Sequence, residues 1–161
     1  HIMGGSIYVP GNIHSAWPEN DNQAAEWNIW VDPAAAALIF HSGLPLYLTP
    51  LDATNQVTWT RADARAWATG SLPEGGLASD YLEWMLATYS SKGAYIWDLT
   101  TAVNATDPAL CPQVALAVDV LTAPGPEQGR TMVTGQPPNI TVCLVPDAQK
   151  VRGLAAAVLG H

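Results

Sequence analysis

Between Asp32 and Asn55 the chain runs through a helix, a glycine stop, a short apolar strand and a polar cluster, in that order. Asp32 is a favoured N-cap residue, and Pro33 suits the first helical position, where its missing N–H costs nothing. The apolar run from Pro33 to His41 is closed by Ser42-Gly43, a helix C-terminal signal. Leu44 to Leu51 then reads as a strand with Pro45 at its start. Helix, glycine, strand is half of an α/β unit. Asp52-Ala53-Thr54-Asn55 follows that strand directly, where open α/β sheets bind ligands. The expected fold is therefore α/β: part of an open, mostly parallel sheet flanked by helices, with a small antiparallel strand pair near the C-terminus.

The remaining segments fit that frame. His1 to Gly5 reads as the end of a strand running into a glycine turn, so the chain is expected to be a piece of something longer. Ile7 to Val9 is a short strand-like run, closed by Pro10-Gly11-Asn12. Residues 12–25 form a polar loop long enough to be a lid or binding loop. A helix is expected from Thr60 to Gly70, with Asp63 in its first turn. Leu72 to Gly76 reads as a Pro/Gly loop. Leu77 to Tyr89 reads as an amphipathic helix, with Leu77, Tyr81, Trp84, Met85 and Thr88 at three- and four-residue spacing. Tyr95-Ile96-Trp97-Asp98 leads into a helix to about Ala105, and Asp147 to Leu159 makes a terminal helix. Val114–Leu121, Arg130–Thr134 and Asn139–Val145 read as strands, the last two joined by Gly135-Gln136-Pro137-Pro138 as an antiparallel pair.

Charge excludes one large class of partner. Six Lys plus Arg against fourteen Asp plus Glu leave a net charge of −8, unsuited to a nucleic-acid backbone. No apolar run is long enough for a membrane helix. There is no glycine-rich phosphate loop, no dinucleotide fingerprint and no Gly-x-Ser-x-Gly elbow. The four histidines show no metal spacing. Two cysteines, Cys111 and Cys143, are too few for a disulfide framework or a zinc cluster. They lie in separate strand-like runs, and whether they pair is left open. Asn104-Ala-Thr and Asn139-Ile-Thr match a glycosylation pattern that is common by chance. Seven Trp beside a single Phe favour aromatic faces near a ligand, since an indole offers a flat stacking surface.

The richest candidate site is Glu26-Trp27-Asn28. In an extended segment Glu26 and Asn28 would face one side and Trp27 and Ile29 the other. A carboxylate beside an amide suits a polyhydroxylated ligand, because each hydroxyl both donates and accepts. The alternative is a plain helix entry. Asp98 reads equally as a helix-start carboxylate.

Met3-Gly4-Gly5, Pro10-Gly11-Asn12, Glu26 to Pro33, Leu51-Asp52-Ala53-Thr54-Asn55 and Trp97-Asp98 occur in that order. Together they resemble the calcium-dependent nucleoside hydrolases, the inosine–uridine-preferring and purine-specific family. The resemblance implies ribose contacts from Asn12, Glu26 and Asn28, a calcium ligand in Asp98, and hydrolysis of the N-glycosidic bond of ribonucleosides. Asp52-Ala-Thr-Asn matches a family motif to which no chemistry is assigned.

Two departures matter. Trp97 stands where the family often has a His that protonates the leaving base, which resembles the purine-specific branch, where the base stacks on Trp. The lengthened loop holding Trp17 is consistent with that branch. The family's Asp-rich N-terminal motif, source of most calcium ligands and of the water-activating Asp, has no match here. The expectation is thus that residues 1–161 are the C-terminal portion of a nucleoside hydrolase, with no catalytic base of their own and inactive alone.

Implied partners are a nucleoside, the N-terminal half or another copy, and a homo-oligomer when complete. No nucleic-acid or membrane partner is expected. With no targeting segment recognised, cytoplasmic and secreted locations stay open. Two other classes compete: a ribose-binding module that does not cleave, and a fragment whose apolar edge around Ile2 and Ile7 pairs with another chain.

Overall fold

The Leu44–Leu51 run does supply a central strand, although only Tyr47–Thr49 (β2) is paired. In the computed structural model, which describes residues 1–161, β2 lies between Ile2–Met3 (β1) and Ile140–Cys143 (β6), parallel to both. Leu48 sits opposite Ile2 and Val142. Gln113–Leu116 (β3) closes the other edge antiparallel to β6, giving the order β1-β2-β6-β3. Val118–Val120 (β4) and Thr131–Val133 (β5) form a separate antiparallel pair. The expected mixed, mostly parallel sheet with a small antiparallel pair is therefore present.

Two compact units divide the chain: residues 1–53 with 111–145, and residues 54–110 with 146–161. The first holds the sheet. Its helices are Ile13–Ala16 (α1), Trp27–Val31 (α2) and Pro33–Phe40 (α3). As expected, the Asp32 side chain caps α3 by accepting from the Ala35 N–H at 2.9 Å. Ile29, Phe40, Leu48, Val118, Val120, Ile140 and Val142 form its core. Cys111 and Cys143 are joined by a disulfide and are buried beside Ala53.

The second unit is helical: Arg61–Ala68 (α5), Pro73–Thr88 (α6), Trp97–Thr106 (α7) and Ala148–Leu159 (α8). The short turn Leu51–Thr54 (α4) precedes it. Trp59, Trp67, Leu82, Leu86 and Val151 are its buried centre. Asp147 caps α8 through the Lys150 N–H.

Several local expectations are corrected. Ile7–Val9 is a bend, with the Asp52 carboxylate taking the Ile7 and Tyr8 N–H groups. The Val114–Leu121 run breaks into β3 and β4 at Ala117. There the Asn139 side chain accepts from Val118 N–H at 2.8 Å and donates to the carbonyls of Val118 and Phe40. The 130–134 and 139–145 strands do not pair with each other; β5 pairs with β4 and β6 with β2 and β3. The supposed loop at 72–76 is the first turn of α6. That helix buries Gly75, Ser79, Leu82, Met85 and Leu86, while Leu77, Tyr81 and Trp84 are exposed. Only Met85 of the expected apolar face is buried. Small residues decide this: a Cβ on Gly75 would lie 2.1 Å from the Leu159 carbonyl oxygen, so only that face lets α6 approach the end of α8.

Candidate functional site

The loop Gly4–Tyr8 leaves the carboxyl end of β1 and is held by side chains from three distant segments. Gly5 N–H donates to Glu26 Oε2 at 3.0 Å and Ser6 N–H to Thr131 Oγ1 at 2.9 Å. Ile7 and Tyr8 N–H donate to the two Asp52 oxygens, each at 2.7 Å. Gly4 N–H goes to the Thr49 carbonyl. Gly5 takes φ +79°, and a Cβ there would press on Thr131 at 3.1 Å, so glycine is required by both backbone and space.

Glu26 itself is extended (φ −88°, ψ 147°), but the residues after it are helical, so Glu26 and Asn28 do not alternate along a strand and the helix-entry alternative holds. Glu26 is the N-cap of α2: Oε2 accepts from Asn28 N–H at 3.0 Å and Ile29 N–H at 3.4 Å as well as from Gly5. It is only 2% exposed. One carboxylate thus fixes a helix start and the loop after β1 together, with the negative charge at the favourable end of the helix. Asn28 lies in the first turn of α2 and is exposed; its Nδ2 donates to the Met3 carbonyl at 3.3 Å and touches Met3 Sδ at 3.2 Å. Asn12 reaches the same helix start, with Oδ1 accepting from Trp27 N–H at 2.8 Å. Asn12, Glu26 and Asn28 therefore gather around the N-terminus of α2, next to the carboxyl end of β1.

The 12–25 loop is built rather than loose. Asn22, 2% exposed, accepts from Ala24 and Ala25 N–H and donates to the Gln128 carbonyl. Gly11 packs so tightly on Ala25 that a Cβ would overlap its backbone at 2.0 Å. Trp17, Trp30 and Trp27 make a chain of ring contacts at 6.0 and 5.6 Å. Trp17 and Trp27 are partly exposed.

Trp97 and Asp98 belong to the helical unit. Trp97 opens α7, is half-buried, and donates from Nε1 to Asn55 Oδ1 at 2.9 Å. The bond fixes the indole edge. Asp98 is exposed in the first turn, one residue past the start; the N-cap is Ile96. No group of three or more His, Cys, Asp or Glu is arranged to hold a metal. Calcium takes six to eight oxygen ligands, more than the Asp98 carboxylate can supply alone. The positioning roles of Asp52 and Thr131 escaped sequence reasoning. Asp52 had a signal, a polar cluster after a strand, whereas Thr131 lies 125 residues from Ser6 and has none.

A family model described as inosine-uridine preferring nucleoside hydrolase matches residues 1–153. The pyrimidine-specific ribonucleoside hydrolase RihB of Escherichia coli O157:H7 is 32% identical over 162 residues, covering 95% of this chain and 49% of that protein. Among solved structures, the plant nucleoside hydrolase PpNRh1 superposes with a TM-score of 0.83 at 27% identity, over 98% of this chain and 52% of that one. A purine-preferring ribonucleoside hydrolase from Gardnerella vaginalis shares the fold, with a TM-score of 0.82 at 24% identity, over 98% and 50%. The chain spans about half the length of the curated relatives it matches.

Proposed function

This chain belongs to the inosine-uridine preferring nucleoside hydrolase family, and from that premise we propose that it is the C-terminal portion of an enzyme that hydrolyses the N-glycosidic bond of ribonucleosides. In that reaction the C1′–N bond breaks, the oxygen of water bonds to C1′, and the base leaves with a proton. Residues 1–161 supply sugar and base contacts in this reading. The water-activating base and most calcium ligands lie outside them, with Asp98 as one ligand, and no step here is routed through the metal.

The observation that carries the reading is the gathering of Asn12, Glu26 and Asn28 at one helix start beside the end of a parallel strand. Two side-chain amides there offer both donors and acceptors, which a ribose hydroxyl needs. The buried Glu26 carboxylate places negative charge beside a ribosyl group that becomes cationic as the bond breaks, and such contacts strengthen in the transition state.

Trp97, its edge held by Asn55, offers a face to the base, and stacking favours the larger purine ring. A pyrimidine preference is the second reading, favoured by the name of the 32% identical relative. A homo-oligomeric assembly is also part of the proposal.

In the full-length enzyme, Asn28→Ala should lower kcat/KM for inosine by roughly 10- to 100-fold, the value of one or two such hydrogen bonds. Its melting temperature should be unchanged, since Asn28 is exposed. An unchanged kcat/KM would overturn the sugar contact. Trp97→Ala should reduce turnover of inosine more than of uridine; the reverse ratio supports the pyrimidine reading. Residues 1–161 alone should turn over neither, and measurable hydrolysis by them would overturn their status as a partial enzyme.

A further inference from the structure

The one-turn helix α4 has two sets of neighbours. Its first residues hold the loop after β1: Leu51 N–H donates to the Gly5 carbonyl at 2.9 Å, and the Asp52 oxygens accept from Ile7 and Tyr8 N–H at 2.7 Å each. Its next residue, the fully buried Ala53, packs against the disulfide of Cys111 and Cys143, each 1% exposed. These three residues form a small cluster of their own, apart from the larger apolar core of the sheet. The disulfide is therefore the apolar surface on which α4 rests.

That surface is fixed in the sheet. Cys143 ends β6, which pairs with β2, the strand that leads into α4. Cys111 lies two residues before β3, and Gln113 of β3 stands opposite Cys143. Sheet, disulfide, Ala53, Asp52 and loop are thus one connected series of contacts. The series reaches the candidate sugar site: Gly5 N–H donates to Glu26, and the nearby Met3 carbonyl accepts from Asn28.

Reduction would remove the support. A disulfide and a dithiol exchange two hydrogens: the protein bond becomes two thiols, and the reductant closes its own disulfide. Two unbonded sulfurs need more room than a bonded pair, and a close-packed interior has none to give. Helix α4, one turn long, has little helical stability of its own, so it yields before the paired strands do.

We propose that the Cys111–Cys143 disulfide is a positioning element for the candidate sugar site, holding the loop Gly4–Tyr8 in place through Ala53 and Asp52, and that a dithiol reductant releases that loop. The consequence for catalysis rests on the reading of Asn12, Glu26 and Asn28 as sugar contacts; the release of the loop does not.

Amide hydrogen exchange on the full-length protein, oxidised and after treatment with dithiothreitol, tests this. Exchange in peptides covering Gly5–Tyr8 should rise about tenfold on reduction, as a local opening. The amides of Leu121 and Thr134, bonded across the β4–β5 pair to the Arg130 and Ala117 carbonyls, should keep their rates. Diamide, which takes the two hydrogens back, should restore the loop's protection. Ala53→Gly keeps the bridge but removes the methyl that rests on it, and should speed exchange in the same loop with no reductant present. In the reduced enzyme kcat/KM for inosine should fall about tenfold and recover on reoxidation.

Exchange that rises equally in the loop and in the β4–β5 pair overturns the proposal, since the bridge then only stabilises the fold as a whole. So does a loop that reduction leaves protected. If the reduced protein unfolds outright, Ala53→Gly decides: a loop that exchanges at the wild-type rate in that variant overturns the proposal. A loop released by reduction with kcat/KM unchanged bears out the link from bridge to loop and counts instead against the reading of the sugar contacts.

Discussion

Asp52 accepts two backbone N–H groups at 2.7 Å and is 7% exposed, so its carboxylate organises Ile7 and Tyr8. Asp52→Asn keeps the shape but loses the charge and one acceptor. Urea unfolding should show a loss of about 2 kcal/mol, the scale of a charge-assisted hydrogen bond. Asp63 is the acid-sensitive counterpart. Burial pushes its carboxyl up, but hydrogen bonds from Arg152 and Thr60 outweigh this and hold it below the usual carboxylate range. Its folded-state pKa is thus depressed. The stability it contributes is complete above the unfolded value of about 3.9 and is lost as pH falls through the lower folded value. Asp63→Asn should melt lower than wild type at neutral pH, and the gap should narrow below about pH 4 in a series of thermal melts. The carboxylates also mark how far residues could be read from sequence. Asp32 was legible as a cap because Asp is a favoured cap beside a periodic run, whereas Asp147 was read only as the start of the terminal helix. Glu26 was legible as important but not as a cap. Glu is not a favoured capping type, and its partner Gly5 is 21 residues away.

Helix α6 shows the same limit for elements. Its existence was clear, but three- and four-residue spacing fits two faces, 77-81-84-88 and 75-79-82-86. Apolar side chains pointed to the first. Close packing chose the second, and only the position of Leu159 reveals it. Two adjacent glycines should therefore respond oppositely to one added methyl. Gly75→Ala meets backbone oxygens of Leu159 and Trp67 at 2.1 and 2.7 Å, whereas Gly76→Ala meets nothing within 4 Å. Gly76→Ala should raise stability by about 0.5–1 kcal/mol through helix propensity. Gly75→Ala should lower it by about 1–3 kcal/mol, the cost of overpacking, both read by chemical denaturation. Helix starts at Pro33, Arg61 and Ala148 were legible because capping is local. Strand partners were not: β5 pairs with β4 and β6 with β2 and β3, and the Asn139 side chain at the start of β6 bonds Val118 and Phe40 across 21 and 99 residues.

At the scale of the molecule, the disulfide ties Cys111, two residues before the β3 edge strand, to the end of β6, across 32 residues. Two cysteines in strand-like runs left their pairing open, since sequence does not give the distance between two strands. The bridge constrains the unfolded chain, so replacing both cysteines by serine should cost about 3–4 kcal/mol, measured against wild type by denaturant unfolding without reductant. The family and its sheet were readable from ordered motifs, whereas the division into two units was not, because the second and third crossings fall within ordinary loops at 110–111 and 145–146. The loop after β1 carries a consequence for the whole electrostatic surface. From Gly4 to Tyr8 five consecutive amides are engaged within the chain, three of them by carboxylates. Helix starts and loops that welcome a phosphate do so with unspent amides. This loop has none to offer and sets two buried anions behind it, on a chain already at −8. On the proposed reading, a neutral nucleoside should therefore compete for the full-length enzyme at least tenfold better than its own 5′-monophosphate, in an inhibition assay run at low salt, where the repulsion is least screened.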